Sequence, residues 1–396
     1  MTGVDEVIPM VYYVSSEGAF GPLGMEKKMS NLTMEEAVET AAKIRKGAFD
    51  IMIDQGDLRA KVKHNGRVGL RSLVARNEGT MEIDKPQSVA AQSLNLNDIR
   101  LSPIAKRQIA NAVGIPVAYW KRCEESDPEM LVDHINHWLP KSKSRRMVRM
   151  VTTDGGFQHC RAFLSNRFMP VDSYWVLDQI KQNIGPSTPW RISVDENGMN
   201  FSSRSDLLTK ELEDQHSKKI GDVMQGGIRV LNSEVGGGKV MAQLCLYRLV
   251  CLNGMTMPIG LGGYSRRHVG AAKNSNVRAI REAFNVNTVL QDLWKAMNNI
   301  LGGEQFDVAM EKIGNAVNQK MAKDWIPRLV KDNDLDEAEK AALTVNYQSD
   351  HNLLNLWGAV NSVTALAHGT KSVDRKTQLE AIGGRLLTSP KYLVAA

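Results

Sequence analysis

The sequence is poor in cysteine. Its 396 residues contain only four cysteines, and none of them forms a CxxC pair, so neither a disulfide framework nor a zinc ribbon is expected. Cys245 and Cys251 share one face of a predicted strand, but six residues separate them by roughly 20 Å in an extended chain. They therefore cannot hold one metal ion together, and we expect reduced thiols.

Long apolar runs are also missing. No stretch approaches the roughly twenty apolar residues of a membrane span, and the first residues lack the basic and apolar regions of a signal peptide. We therefore expect a cytoplasmic protein with no membrane contact. At 42% apolar residues, a chain of this length can still bury a core without help from metals or disulfides.

Motifs for catalysis are equally scarce. Gly236, Gly237 and Gly238 precede Lys239, but Val240 follows where a phosphate loop has Ser or Thr, and the spacing is wrong. The later glycine cluster, residues 260–264, opens no helix, so a dinucleotide site is unsupported. We expect no cofactor and no enzymatic activity.

Two histidines remain candidates for a metal site. His159 and His268 could act with nearby acids, which would make the protein a metal-dependent nuclease, but a lone histidine is more often structural. The acids of the central region lie mostly at turns and helix starts, where capping explains them: Asp154, Asp172, Asp178, Asp195, Glu196 and Asp206. We expect no metal and keep the nuclease as the least favoured alternative.

Positive charge is concentrated in residues 226–281. This segment has a single acid, Glu234, against eight cations: Arg229, Lys239, Arg248, Arg266, Arg267, Lys273, Arg278 and Arg281. Its pattern predicts a β-hairpin, residues 228–235 and 240–252, turned by three glycines and followed by a glycine-rich loop. A sheet with a cationic, flexible rim suits a polyanion. A second basic run, residues 141–149, has five cations and is either a solvated face or part of the same surface.

One aromatic lies within the cationic rim. Tyr264 could stack on an unpaired base beside the cations, or it could be an ordinary loop aromatic. Arg248 interrupts an apolar strand face, so it either extends to the rim or pairs with a buried acid.

The remaining patterns predict an α+β fold. A capping box begins a helix at Thr33, strands follow at residues 147–152 and 158–164, and the chain after Asn274 is helical. We expect a central antiparallel sheet with packed helices. Three regions are predicted: a small α+β N-terminal cap at 1–95, an α+β core with the basic hairpin at 96–275, and a helical C-terminal region at 276–396.

Several motifs, in order, resemble a phage- and plasmid-encoded family called domain of unknown function 932. They are residues 101–119, 136–139, 161–168, 251–254 and 267–268, and the resemblance covers residues 98–272. It implies a phage or plasmid protein in a bacterial host cell, but it implies no activity.

Residues 168–190, with the strands and helix after them, are also similar to the core of the Rad-type single-strand annealing proteins. That resemblance implies a β-β-β-α unit lining a basic groove in a ring of subunits. An acidic segment at residues 206–219, read as a helix between strands, departs from the family pattern. By position, the implied groove cations are Arg229, Lys239, Arg248, Arg266 and Arg267, with Arg161 and Arg167 as further candidates.

The leading hypothesis is therefore a phage recombination-type protein that binds single-stranded DNA non-specifically and promotes annealing. We expect a homo-oligomer, ring or filament, and RNA remains an alternative ligand. The candidate nucleic-acid-binding residues are Arg161, Arg167, Arg229, Lys239, Arg248, Tyr264, Arg266, Arg267, His268 and Lys273. The alternative is a phage or plasmid structural or interaction protein, such as a counter-defence protein, whose basic rim binds an acidic protein partner.

Overall fold

The structure is a computed structural model. It describes residues 32–73, 82–84, 98–153, 155–184, 190–213, 219–249, 253–256, 263–268, 285–349, 354–370 and 373–394. Within these ranges it combines α-helices with mainly antiparallel sheets, and helices dominate the C-terminal part. The predicted α+β class is confirmed.

The helices are numbered here in chain order. They are α1 (Met34–Gly47), α2 (Pro103–Val113), α3 (Val117–Ser126), α4 (Pro128–Trp138), α5 (Ser173–Asn183), α6 (Val286–Leu301), α7 (Glu304–Ala316), α8 (Trp325–Asn333), α9 (Glu337–Ser349), α10 (Leu356–Gly369) and α11 (Val373–Leu387). The capping box at Thr33 is present in full, with Glu36 as its partner. Gly114 ends α2 in the left-handed conformation, as its position after the apolar stripe predicts. No helix in the described ranges is long and apolar enough to cross a membrane.

The strands are β1 (Ala48–Asp54), β2 (Leu58–Val62), β3 (Val68–Ser72), β4 (Glu82–Asp84), β5 (Arg100–Leu101), β6 (Arg145–Thr152), β7 (Gln158–Ser165), β8 (Trp190–Asp195), β9 (Gly198–Glu213), β10 (Lys219–Ser233), β11 (Val240–Arg248), β12 (Asn253–Thr256) and β13 (Tyr264–Arg266). Sheet 1 has the order β4-β1-β6-β7-β5, and sheet 2 has the order β12-β11-β10-β9-β8 with β13 also paired to β11. Strands β2 and β3 form a separate hairpin.

The basic hairpin of sheet 2 forms as its sequence predicts. Strands β10 and β11 pair antiparallel, with Ile228 opposite Leu244 and Val230 opposite Ala242. These alternating apolar residues are buried in the largest core cluster, which helix α6 joins through Leu293. The turn between the strands contains the three glycines, so the local pattern was sufficient to locate it.

The predicted helix at residues 206–219 is wrong over residues 206–213, and residues 214–218 lie outside the described residues. Strand β9 continues through residue 213 and pairs with β10 along its length, with Lys210 opposite Met224. Leu208 and Leu212 are both buried, and their four-residue spacing places them on one face in a helix and in a strand alike. Such spacing cannot distinguish the two structures, and pairing with β10 decides it.

The predicted boundary at residues 95 and 96 cuts through sheet 1. Strand β1, which the sequence assigns to the N-terminal cap, lies inside the sheet and pairs with β6 over seven positions. Met34 of α1 and Tyr392 near the end of the chain belong to one core cluster. The N-terminal and central regions therefore share sheet 1, and all three regions contribute to one core cluster.

Glu234 joins the two sheets. It follows β10, is 4% exposed, and its Oε2 lies 2.9 Å from the guanidinium of Arg161 on β7. Its Oε1 accepts a hydrogen bond of 2.7 Å from the backbone N–H of Ser173 at the start of α5. Its backbone carbonyl accepts a hydrogen bond of 2.6 Å from Arg149 on β6. One carboxylate thus connects sheet 1, sheet 2 and a helix N-terminus.

Arg149 is itself fully buried. Its guanidinium donates to Asp50 of β1 at 2.8 Å and to Asp172 at 3.3 Å. Burial alone would lower the pKa of Arg149, but the attraction of Asp50, Glu234 and Asp172 outweighs burial and raises it. A buried charge is tolerated only when such partners replace its lost hydration, so these groups act as a unit.

We expect E234Q to lower the free energy of unfolding by about 3 kcal/mol, because the substitution leaves Arg161 buried without its counter-charge. Urea denaturation followed by circular dichroism measures the change. The control is E337Q, which removes a surface ion pair between Glu337 and Lys340. The side chain of Glu337 is 85% exposed. That control should cost no more than about 0.5 kcal/mol. Equal losses in the two variants would contradict a central role for Glu234.

Candidate functional site

The β10–β11 turn is seated on sheet 1. Gly236 has φ +75°, and a Cβ at this position would lie 2.5 Å from Cδ2 of Leu164 on β7. Gln108 of α2 donates from Nε2 to the carbonyl of Val235 at 2.7 Å. The glycine is required here for both its conformation and its close approach, and the turn is held against β7 and α2.

Strand β13 brings two arginines to this turn. It pairs with the start of β11, so that Val240 lies opposite Arg266 and Ala242 lies opposite Tyr264. Lys239 precedes Val240, and Arg267 follows Arg266, so cations from two distant segments meet at one end of the sheet. Arg266 and Arg267 are exposed, and Lys239 is half-buried.

A pocket of about 190 Å³ opens between the turn and β7. Its lining residues come from both sheets and from the segment after β13: Leu164, Ser165, Phe168, Gly236, Gly238, Lys239, Arg267 and His268. No carboxylate is among these lining residues. The pocket therefore offers two cations and a hydroxyl group to an anion.

His268 forms the floor of the pocket with Phe168. The two rings stack with centroids 5.0 Å apart, and the side chains are buried, at 3% and 4% exposure. Nδ1 of His268 lies 3.1 Å from the carbonyl oxygen of Met169, which can only accept, so Nδ1 carries the proton. Nε2 is buried and has no hydrogen-bond partner among the described residues.

Burial lowers the pKa of His268 to about 4, and the nearby Arg149 acts in the same direction, while the Met169 carbonyl and Glu234 oppose it. The imidazole is therefore neutral at pH 7. With Nδ1 protonated, Nε2 is a hydrogen-bond acceptor.

Three predicted groove cations lie elsewhere, and their assignment to a groove is corrected. Arg161 is 0% exposed and pairs with Glu234. Arg229 is 7% exposed, and its guanidinium lies 2.5 Å from Glu380 of α11. Glu380 of helix α11 thus lies against the face of sheet 2 that carries Arg229.

Arg248 is the third of these cations. It pairs with Asp222 at 2.7 Å, and the same carboxylate accepts a hydrogen bond of 3.1 Å from Nε1 of Trp357. Of the two alternatives raised by the sequence, pairing with a buried acid is the one that occurs.

Arg167 and Tyr264 are not among the residues that line the pocket. Arg167 is half-buried on the loop after β7 and has contacts of its own. Tyr264 is half-buried against the main core, and burial raises its pKa. Its ring therefore packs on the protein and is only partly available to stack on a base. Lys273 lies outside the described residues.

The second basic run, residues 141–149, is mostly structural. It includes the start of β6, where Arg146 donates to Gln55 at 2.7 Å and Arg149 is buried. Lys141 and Lys143, before the strand, are exposed.

The histidines considered for metal binding are separate from each other. Nε2 of His159 lies 2.8 Å from Glu196, whereas His268 faces the pocket. Among the residues that the structure describes, no group of three or more potential ligands could hold a metal ion.

Three site residues were missed by the sequence reasoning. Glu234 was visible as the single acid in the basic segment, and that isolation was a usable sign of a buried partner. Ser165 and Phe168 lie within a family motif but carry no charge pattern. Only the packing of β7 against the glycine turn brings them to the pocket.

The model of the family described as Domain of unknown function (DUF932) matches residues 163–382. The chain belongs to this family. The matched DUF932 segment includes the pocket residues, sheet 2 and most of the C-terminal helices, so it begins later and ends later than the resemblance seen in the sequence. No curated protein and no solved structure matches the chain.

We expect G236A to destabilise the protein more than G66A. Both glycines have positive φ, but a Cβ at Gly66 meets nothing within 4 Å, whereas at Gly236 it would collide with Leu164. The shared backbone strain is of order 1 kcal/mol, so the difference reports the contact alone. Chemical denaturation of both variants measures it, and equal losses would show that the turn is not seated on β7.

Below pH 6.5 the unfolded chain binds a proton at His268 that the folded chain does not bind until about pH 4. The contribution of His268 to the free energy of unfolding should therefore be complete above pH 6.5. It should be lost as the pH falls toward 4, which lowers the free energy of unfolding by up to about 3 kcal/mol. H268N should flatten this slope while H64N, at an exposed position, keeps it. Urea titrations between pH 4 and 7.5 test this, and an unchanged slope in H268N would contradict the assignment.

Proposed function

We propose that this DUF932 protein binds single-stranded DNA non-specifically and promotes strand annealing as a homo-oligomer. The binding surface is the cationic margin, defined as Lys239, Arg266 and Arg267 at the end of sheet 2. The proposal depends on one observation, which is that β13 pairs with β11 and so gathers these three cations beside one turn.

The cationic margin has the charge pattern that a phosphate backbone requires. Arg266 and Arg267 are exposed and Lys239 is half-buried, while the nearest acid along the hairpin, Glu234, is buried and already paired with Arg161. Cations that neutralise phosphates release counterions, which supplies non-specific affinity. The acid does not cancel the charge of the margin, because its own charge is compensated internally.

The margin offers little for base recognition. Tyr264, the aromatic residue of β13, packs against the main core. Contacts directed mainly at phosphates leave base edges available for pairing, which is the condition that annealing of two strands requires. Three cations span few nucleotides, so annealing of longer strands needs several copies side by side, and this supports a homo-oligomer.

The K239Q/R266Q/R267Q variant should lose most binding to an oligomer of thymidine, measured by fluorescence anisotropy at several salt concentrations. With three phosphate contacts removed, the slope of log affinity against log salt should become less negative by about 2. Binding of RNA of the same length is measured in parallel, because the proposal is that the ligand is DNA.

The matched control is K320Q/K323Q/K331Q, which removes the same charge at exposed positions of the C-terminal region and should keep the parent slope. Parent-like binding by the first variant, with circular dichroism unchanged, would contradict the proposal. Partners that survive nuclease treatment in a pull-down would instead favour an acidic protein as the ligand.

A further inference from the structure

A second concentration of positive charge lies on the β2–β3 hairpin. Residues 58–72 contain no acid and five cations: Arg59, Lys61, Lys63, Arg67 and Arg71. The cations occupy alternate positions, and the two strands pair so that Lys61 lies opposite Gly69. Because alternate residues of a strand share one face, all five cations lie on the same face of the hairpin.

The other face of the hairpin is buried. Leu58, Ala60, Val68 and Leu70 alternate with the cations, are at most 4% exposed and belong to one core cluster. A shift of one residue in the pairing would bury the cations and expose these apolar side chains. The core therefore fixes the cations on the outer face.

The segment next to β3 adds another cation to this face. Ile99 and Leu70 exchange two backbone hydrogen bonds, of 3.0 and 2.8 Å, and Ile99 is buried with Leu70. Its two neighbours, Asp98 and Arg100, therefore lie on the side of the cations. Arg100 is exposed.

Two of the cations are held internally. Nζ of Lys63 is buried and lies 2.8 Å from the carboxylate of Asp98. Arg59 is half-buried, and its guanidinium donates to two backbone carbonyls at the start of the hairpin, at 2.6 and 2.8 Å. A ligand would therefore have to bind the other cations.

Those cations are accessible. Lys61 keeps 35% of its side chain exposed although it lies 3.4 Å from Asp98, and Arg71 and Arg100 are both exposed. Neighbours in such a sheet are roughly 5 Å apart across strands and roughly 7 Å apart along one face. These spacings are within the Debye length of about 8 Å at physiological salt, so the fields of neighbouring cations add. We call Lys61, Arg71 and Arg100 the hairpin face.

The arrangement keeps like charges close together. Arg59 lies directly opposite Arg71, and like charges at such positions destabilise a sheet. Burial lowers the pKa of Lys63, and the nearby Arg100 and Lys61 act in the same direction, against the attraction of Asp98. A polyanion bound to the face would relieve this repulsion.

We propose that the hairpin face is a second nucleic-acid-binding surface, which contacts the phosphate backbone through Lys61, Arg71 and Arg100. This contact rests on the proposed function for its class of ligand, but it uses none of the residues of the cationic margin. It also lies before residue 163, where the matched DUF932 segment begins.

An anionic membrane fits this face less well than nucleic acid does. Surfaces that bind membranes combine cations with apolar side chains that enter the lipid. On the hairpin, the apolar residues of both strands point into the core, and the outer positions hold cations and Gly69. A phosphate backbone needs only the charge, because neutralised phosphates release their counterions.

The test uses the hairpin variant K61Q/R71Q/R100Q and a thymidine oligomer, with fluorescence anisotropy at several salt concentrations. Three lost phosphate contacts should make the slope of log affinity against log salt less negative by about 2. Combining this variant with K239Q/R266Q/R267Q should raise the change to about 4, because the two surfaces share no residue. The control K320Q/K323Q/K331Q should keep the parent slope, and circular dichroism verifies that each variant is folded.

The outcomes separate this inference from the proposed function. A parent-like slope in the folded hairpin variant overturns the inference and leaves the proposed function intact. A change in the hairpin variant alone supports the inference and refutes the cationic margin as a binding surface. Failure of the folded parent to bind any oligomer refutes the proposed function itself.

Vesicles that contain phosphatidylserine test the membrane alternative. If the parent binds them, and the hairpin variant loses that binding while it keeps the parent slope for the oligomer, the face is a membrane contact and the inference is overturned.

Discussion

The structure depends on the ion pair between Glu234 and Arg161. Both side chains are almost fully removed from solvent, and the carboxylate also caps the first backbone N–H of α5. An isolated charge in such surroundings would be strongly disfavoured. The two sheets must therefore pack in one relative position for the carboxylate and the guanidinium to neutralise each other. Because the glycine turn begins two residues after Glu234, the same pair also fixes the position of the turn that lines the pocket.

Sequence patterns were sufficient where the information is local. The capping box at Thr33, the stop at Gly114 and the glycine turn after β10 each rest on residues a few positions apart, and all three occur in the structure. Leu208 and Leu212 show the limit of such reasoning, because a four-residue spacing fits a helix and a strand equally. The pairing partner of β9 lies elsewhere in the chain, and periodicity does not report it.

The candidate site could be predicted only in part. Charge density identified Lys239, Arg266 and Arg267, which do meet at the end of sheet 2. The same criterion also selected Arg229, which is buried against Glu380. Arg161, which the resemblance to the annealing proteins implied, is likewise buried against Glu234. Counting cations cannot separate the two groups. The sequence does not show whether an arginine is solvated by water, bound to phosphate or paired with a carboxylate that folding brings close.

The matched DUF932 segment begins at residue 163, within β7, and this position has a consequence for dissection of the protein. A fragment that started there would retain Glu234 but would lack both Arg149 and Arg161, so its carboxylate would be buried without a cation. It would also lack all of sheet 1 except residues 163–165 of β7. The portion that identifies the family is thus shorter than the portion that can fold cooperatively, and deletion studies should be planned around the latter.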